Sequence, residues 1–309
     1  MAFSLRKTSS DGSVGLDIDG RYLAAAQVEG GRVVKAASQE LPAGLIKDGE
    51  VASPEELGDN IKEFVHNAGL PRNVRLGVAN QQIVVRVVEL PRIENDKERE
   101  AAVRFQAADA IAMPLDDAVL DHQIAGYTES PDGSARMQVV LVAARRSMIQ
   151  KLLDAVKHAG LKPDGIDLDA FALVRMLAQE PEGDLDNARV FCHLGGVSNL
   201  AVAVGTTCYF TRPLAAVWTD EDAGSRLADE IRLSIDYYMA QPQARQVGEV
   251  VLSGPGSADD TLFRGLANEV GLPVSLAPPL GALDSSELAS NEDPHRYTVA
   301  AGLSIGSDS

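Results

Sequence analysis

Cysteine is nearly absent from the 309-residue chain, with Cys192 and Cys208 as the only two. They fall at corresponding ends of two expected strands. A disulfide between them is possible, but buried thiols in a reducing compartment are the favoured reading. Long apolar runs are missing as well. The longest, Val139 to Ala144, is far too short to span a membrane, and Met1 to Gly12 is polar and lacks a signal-peptide core. The chain is therefore expected to be soluble and, by default, cytoplasmic. Positive charge is scarce: 28 Lys and Arg stand against 45 Asp and Glu, a formal charge of −17. That excludes tracking along a nucleic-acid backbone and fits an acidic, well-solvated surface. No Walker A pattern, nucleophile elbow or Cys/His cluster occurs, and His66, His122, His158, His193 and His295 show no metal-ligand spacing.

What is present is a repeat. Val14 to Val34 reads as strand, acidic Gly turn, strand, Gly-Gly turn, strand, because strand-length apolar runs alternate with residues that tolerate positive φ. A second copy runs from Phe191 to Phe210. Setting Asp17 over His193 puts Ile18 on Leu194, Gly20 on Gly196, Ala25 on Ala201, Val28 on Val204 and Gly30 on Thr206. A single register is thus expected to align both meanders. Two copies of one unit, in a chain long enough for about two domains, predict two similar lobes facing each other.

Ser53-Pro54-Glu55-Glu56 carries the signals of a helix start, and Leu57, Ile61, Phe64, Val65 and Ala68 share one face before Gly69. Val74 to Ala79 and Ile83 to Leu90 are expected as two more strands of the first lobe. After Pro91 the texture changes. Asn95 with Glu98 opens a helix that aligns Ala101, Phe105, Ala108 and Ala112 along one side. A hairpin turning at 130–134 and a helix closed by Gly160 follow. The expected division is a flexible tail at 1–12, a first lobe of 13–90 with 164–182, an inserted module at 91–163, and a second lobe at 183–309. Residues 179–184 form a polar linker. The second lobe is expected to end in a helix from His295 to Ile305.

These pieces resemble a known family. Val14-Gly15-Leu16-Asp17-Ile18, Leu41 to Glu50, Val103 to Ala107 running to Asp116, Val139 to Ala144, Ala159 to Pro163, Asp169 to Leu173, Glu230 to Ser234 and Val251 to Gly254 occur in the order seen in PilM. PilM proteins are cytoplasmic actin-like proteins of type IV pilus assembly, related to the cell-division protein FtsA. The resemblance covers nearly the whole chain. It implies an α/β, two-lobed actin-like (ribonuclease H-like) fold with a small α+β subdomain inserted in the first lobe. It also implies an ATP/Mg cleft, whose family positions fall on Asp17, Gly20, Gly195, Gly196, Ser198, Gly254 and Gly256. The implied partner is a PilN-like inner-membrane protein, along with other pilus platform proteins. Its cytoplasmic N-terminal segment would lie on the first lobe and the insertion, near Arg104 and Phe105, a mode that needs no catalysis.

The chain departs from the family pattern at the cleft. Asp19 brings negative charge to the first turn, Ala24 stands where the family has Lys, and His193 replaces an Asp. Pro255 removes a backbone donor between Gly254 and Gly256. The second lobe is shortened between 213 and 225, where the family places a subdomain over the adenine. The expectation is a degenerate site and a docking scaffold, with no ATP hydrolysis. The alternative is a working ATP-binding actin-like ATPase of the same machinery. Plainer readings stand beside each candidate. Asp17 and Asp19 hold Mg²⁺ or simply suit a strand-end turn; Arg21 meets a phosphate or is an exposed side chain. Asp167 and Asp169 form an acid pair or serve as cap and linker; His193 is a ligand or a satisfied structural histidine. Gly254-Pro255-Gly256 receives an anion or is a tight strand-to-helix turn. Phe105 meets the partner or packs its subdomain.

Overall fold

The computed structural model describes residues 13–47, 49–178, 187–289 and 292–306. The expected tail and the whole of the expected linker lie outside these residues. In chain order the strands are β1 (Val14–Ile18), β2 (Tyr22–Glu29), β3 (Arg32–Glu40), the short hairpin β4 (Ile46–Lys47) and β5 (Glu50–Val51), and, past α1 (Pro54–Ala68), β6 (Asn73–Val78) and β7 (Val84–Pro91). Then come α2 (Asp96–Ala110), β8 (Ala118–Glu129), β9 (Ala135–Arg145), α3 (Arg146–His158), β10 (Lys162–Leu168) and α4 (Asp169–Leu177). The second half has β11 (Ala188–His193), β12 (Asn199–Val204), β13 (Thr207–Pro213), α5 (Ala223–Met239), β14 (Val247–Ser253), α6 (Asp260–Glu269), β15 (Val274–Leu276) and α7 (Thr298–Ile305).

The duplication is visible in the sheets. One runs β10-β6-β1-β2-β3 and the other β15-β14-β11-β12-β13, each five-stranded with its meander at one end. β1 pairs with β6 in parallel, as β11 does with β14. The expected single register needs one correction. Asp17 pairs with Ala24 whereas His193 pairs with Asn199, so the second turn is one residue shorter. Beyond it, Ala25 matches Leu200, Val28 matches Ala203 and Gly30 matches Gly205. Both copies carry a β-bulge there, between Gln27 and Val28 and between Val202 and Ala203. Gly30 and Gly205 adopt nearly the same left-handed φ, 55° and 56°, which the tight turn demands and glycine supplies without steric cost.

α1 and α2 start where the sequence says, whereas α7 begins at Thr298, three residues after the expected His295. Ser53 accepts a hydrogen bond from the Glu56 N–H, and Asn95 accepts from the N–H groups of Lys97 and Glu98. α1 and α3 lie together on the first sheet, close enough that a Cβ on Gly58 would fall 2.7 Å from the Ala155 carbonyl oxygen. α7 departs from expectation. It packs on β1, β2 and β6 of the first sheet, while α4, which follows the first sheet's last strand, packs on β11, β12 and β13. The two helices also touch each other, so each half of the chain lends a helix to the other's sheet. The reason lies in α7 itself: every residue from Thr298 to Ser304 is buried, so it needs cover on all sides. Glycine permits the contact, since a Cβ on Gly15 would meet the Ala300 oxygen at 1.9 Å and one on Gly302 the Ala172 oxygen at 2.2 Å.

A third sheet, β7-β9-β8, carries α2. β7 was expected within the first lobe, yet it pairs along its length with β9, so the expected boundary at 91 falls at the end of this sheet's first strand. α3, expected in the insertion, packs on α1. On α2 the stripe aligned in the sequence is not the buried one. The buried face is Val103 and Ala107, followed by Ile111, packed with Leu90, Met137, Val139 and Leu141; Ala101, Phe105, Ala108 and Ala112 face outward. Both stripes recur at helical spacing. The branched side chains of Val103 and Ile111 fill the space over the sheet, and alanines do not.

Candidate functional site

The two meander turns meet across the cleft between the lobes. Asp19 leaves β1 in a turn closed by its own carboxylate, whose Oδ1 accepts from the N–H groups of Arg21 (3.0 Å) and Tyr22 (2.7 Å). Its other oxygen, Oδ2, accepts the N–H of Gly196 in the facing turn at 2.7 Å. A Cβ on Gly196 would lie 2.5 Å from Asp19 Oδ1 and 2.8 Å from the Cβ of Arg21. Glycine therefore admits the opposite turn. Burial pushes the Asp19 carboxyl up, while the three N–H groups and the Arg296 guanidinium pull it down. Arg296 stacks over Tyr22 with its carbon 4.5 Å from the ring centre, and Arg21 reaches Thr219 in the second lobe at 3.5 Å.

Behind this contact lies a buried acidic group. Asp17, at the end of β1, and Asp169, the first residue of α4, each keep one Oδ1 with no hydrogen-bond partner among the described residues. Burial raises both: Asp17 well above the carboxylate range, with Asp169 and Asp19 adding to it, and Asp169 up to about 8. Asp169 is therefore mostly protonated at neutral pH. It does not cap α4; its Oδ1 fills the space over Gly77, where a Cβ would be 2.2 Å away. Asp167 is different, since it pairs with Arg175 at 2.7 Å, and Arg175 also donates to the Gly302 carbonyl of α7. Among the described residues no group of three or more His, Cys, Asp or Glu side chains is placed to hold a metal ion.

His193 is buried, its Nδ1 lies 3.1 Å from the Ser253 hydroxyl, and burial lowers its pKa to about 4, with His295 adding a smaller push. It is neutral under ordinary conditions. Gly195 sits beside it, and Ser198 is buried with its hydroxyl unpartnered among the described residues. Gly254 has φ +84°, and a Cβ there would meet the Leu194 backbone at 2.8 Å. The Gly256 N–H donates to the Leu194 carbonyl, and the ring of Trp218 lies 2.8 Å from where a Gly256 Cβ would stand. This turn is therefore filled, its donor used within the lobe.

Trp218 belongs to the short connection between β13 and α5, which is itself pinned. Glu230 accepts from the N–H groups of Ala215 and Ala216, and Leu214 donates to the Ser198 carbonyl. A cavity of about 310 Å³ remains between the lobes, lined by Gly20, Arg21, Asn80, Val197 and Leu214 among others. Gly20 holds φ +83° at its rim. The cleft thus brings Asp17, Asp19, Gly20, Gly195, Gly196 and Ser198 together and leaves Gly254 and Gly256 packed away. Arg104 and Phe105 lie apart from it, exposed on α2, with Phe105 76 % exposed. Sequence reading missed Trp218 and Glu230. The pointer was there: a lone tryptophan in a connection too short to form a subdomain.

Known proteins now bear on this geometry. The family described as type IV pilus assembly protein PilM matches residues 16–212. The chain belongs to the PilM family. Among solved structures, a PilM-PilN type IV pilus biogenesis complex matches with a TM-score of 0.80 and 24% identity, over 98% of this chain and 100% of that one. The cytoplasmic domain of EpsL, an inner-membrane component of the type II secretion system of Vibrio cholerae, matches at 0.52 with 14% identity, over 95% and 93%. The ethanolamine utilization protein EutJ of Carboxydothermus hydrogenoformans matches at 0.50 with 11% identity, over 97% and 92%. The α/β, two-lobed fold is actin-like, as the PilM family implies. The cleft residues fit a nucleotide poorly: the Asp19 carboxylate already takes the N–H groups of Arg21, Tyr22 and Gly196, and the Gly256 N–H is spent on Leu194.

Proposed function

We propose that this PilM-family chain is a non-catalytic scaffold of a type IV pilus assembly machine that docks the cytoplasmic N-terminal segment of a PilN-like inner-membrane partner. The outward face of α2 carries this reading. Ala101, Phe105 and Ala108 form an apolar stripe with one large aromatic knob, Ala112 follows just past the helix end, and the exposed Arg104 stands beside it. A helix face of this kind, left uncovered on a small sheet, suits a short apolar segment with a polar edge. Membership in the family and the likeness to a PilM-PilN complex support the same partner. No described helix is long and apolar enough to cross a membrane, so the partner would supply the attachment. The turn donors already engaged by Asp19 and Leu194 argue for docking over hydrolysis.

The experiment is a titration of the chain with a peptide from the N-terminus of the PilN-like protein. Binding is expected, weakened about tenfold or more by Phe105→Ala, as for the removal of a central aromatic anchor. Equal binding by Phe105→Ala would remove the α2 face from the interface. A parallel titration with Mg-ATP is expected to give no heat, and micromolar binding would restore the ATPase reading.

A further inference from the structure

We infer that Asp19 is the resident anion of the cleft, a tethered carboxylate that takes the place of a bound ligand and latches the two lobes together. Backbone N–H groups that converge in a turn form a concavity for negative charge. Here the donors come from both sides of the cleft: Arg21 and Tyr22 from the first turn, Gly196 from the second, all on one carboxylate. The cations nearby are consistent with an anion site, since Arg296 lies over Tyr22 and Arg21 reaches across to Thr219. The fit is shaped on both sides, because any side chain at 196 would collide with Asp19. Chain length agrees too: the second turn is the shorter of the two, leaving Gly196 facing Asp19 rather than an open loop. In most two-lobed clefts closure waits for a ligand that binds the closed state better. This chain carries that ligand covalently, so the two turns are held together without a nucleotide.

The inference does not depend on any partner. It shares with the proposed function only the view that the native cleft takes no triphosphate, and Mg-ATP titration of the native chain tests that view separately. The latch is tested by the distance between spin labels placed on corresponding exposed helices, at Glu63→Cys in α1 and Asp236→Cys in α5; the natural cysteines are buried. Asp19→Ala, Asp19→Asn and Gly196→Ala are each expected to lengthen and broaden the distance distribution by several ångströms while circular dichroism stays native. The asparagine variant serves as the subtler change, since its amide would turn a donor toward the Gly196 N–H. Adding inorganic phosphate at constant ionic strength is expected to restore the native distribution in Asp19→Ala and to leave the native chain unchanged. Unchanged distances in Asp19→Ala and Gly196→Ala would overturn the latch. Opening without rescue by phosphate would overturn the anion assignment and leave Asp19 as a hydrogen-bonding link between the turns that stands in for no ligand.

Discussion

At the scale of single residues, the buried acids and histidine set opposing responses to pH. The Asp169 carboxyl is raised from 3.8 to about 8, so between those values the folded chain holds a proton that the unfolded chain releases. Stability therefore falls as pH rises through that window, and the loss is complete above pH 8. Asp169→Asn removes the penalty. It is expected to melt higher than the native chain at pH 8.5, by on the order of 2 kcal/mol or roughly 4–8 °C, and to lose that advantage near pH 4. His193 acts in the other direction. Its pKa is lowered from 6.5 to about 4, so its contribution is present above 6.5 and drains away as pH falls to 4. His193→Gln is expected to flatten the acid limb of a thermal-melt pH profile without moving the alkaline limb. Sequence alone placed Asp17, Asp19, Asp169 and His193 at strand and helix ends. It could not show which oxygens go unpaired, because burial depends on what the opposite lobe brings.

At the scale of elements, helix faces and helix contacts divide the legible from the hidden. The caps at Ser53 and Asn95 were legible because capping is local: the donor and acceptor lie three residues apart. The face of α2 was not, because two stripes share the helical period and the choice is made by the sheet beneath. Phe105→Ala is accordingly expected to change the melting stability of the isolated chain by no more than about 0.5 kcal/mol, whatever it does to docking. Where helices meet through glycine the cost is larger. Gly15→Ala and Gly302→Ala would press a methyl group into carbonyl oxygens of α7 and α4, 1.9 and 2.2 Å away. Each is expected to lose roughly 3 kcal/mol or more in urea unfolding. Gly248→Ala, whose Cβ would meet nothing closer than 3.6 Å, is the control and is expected to be close to neutral.

At the scale of the whole molecule, the duplication was legible because both copies keep the same order of short apolar strands and glycine-bearing turns. The exchange of helices was not: a helix buried on every side announces that it is covered, but not by which sheet. That exchange has a consequence for how the chain comes apart. Neither half owns all of its own interior. A gene divided between codons 178 and 187 would yield two polypeptides, each with an apolar sheet surface that only the other can close. Made separately, each is expected to aggregate or to show no cooperative melt. Made together, they are expected to purify as one equimolar particle with a single transition. Two independent transitions from the mixture would mean that each piece matures alone, and α4 and α7 would then be ornaments of the fold instead of its fastening.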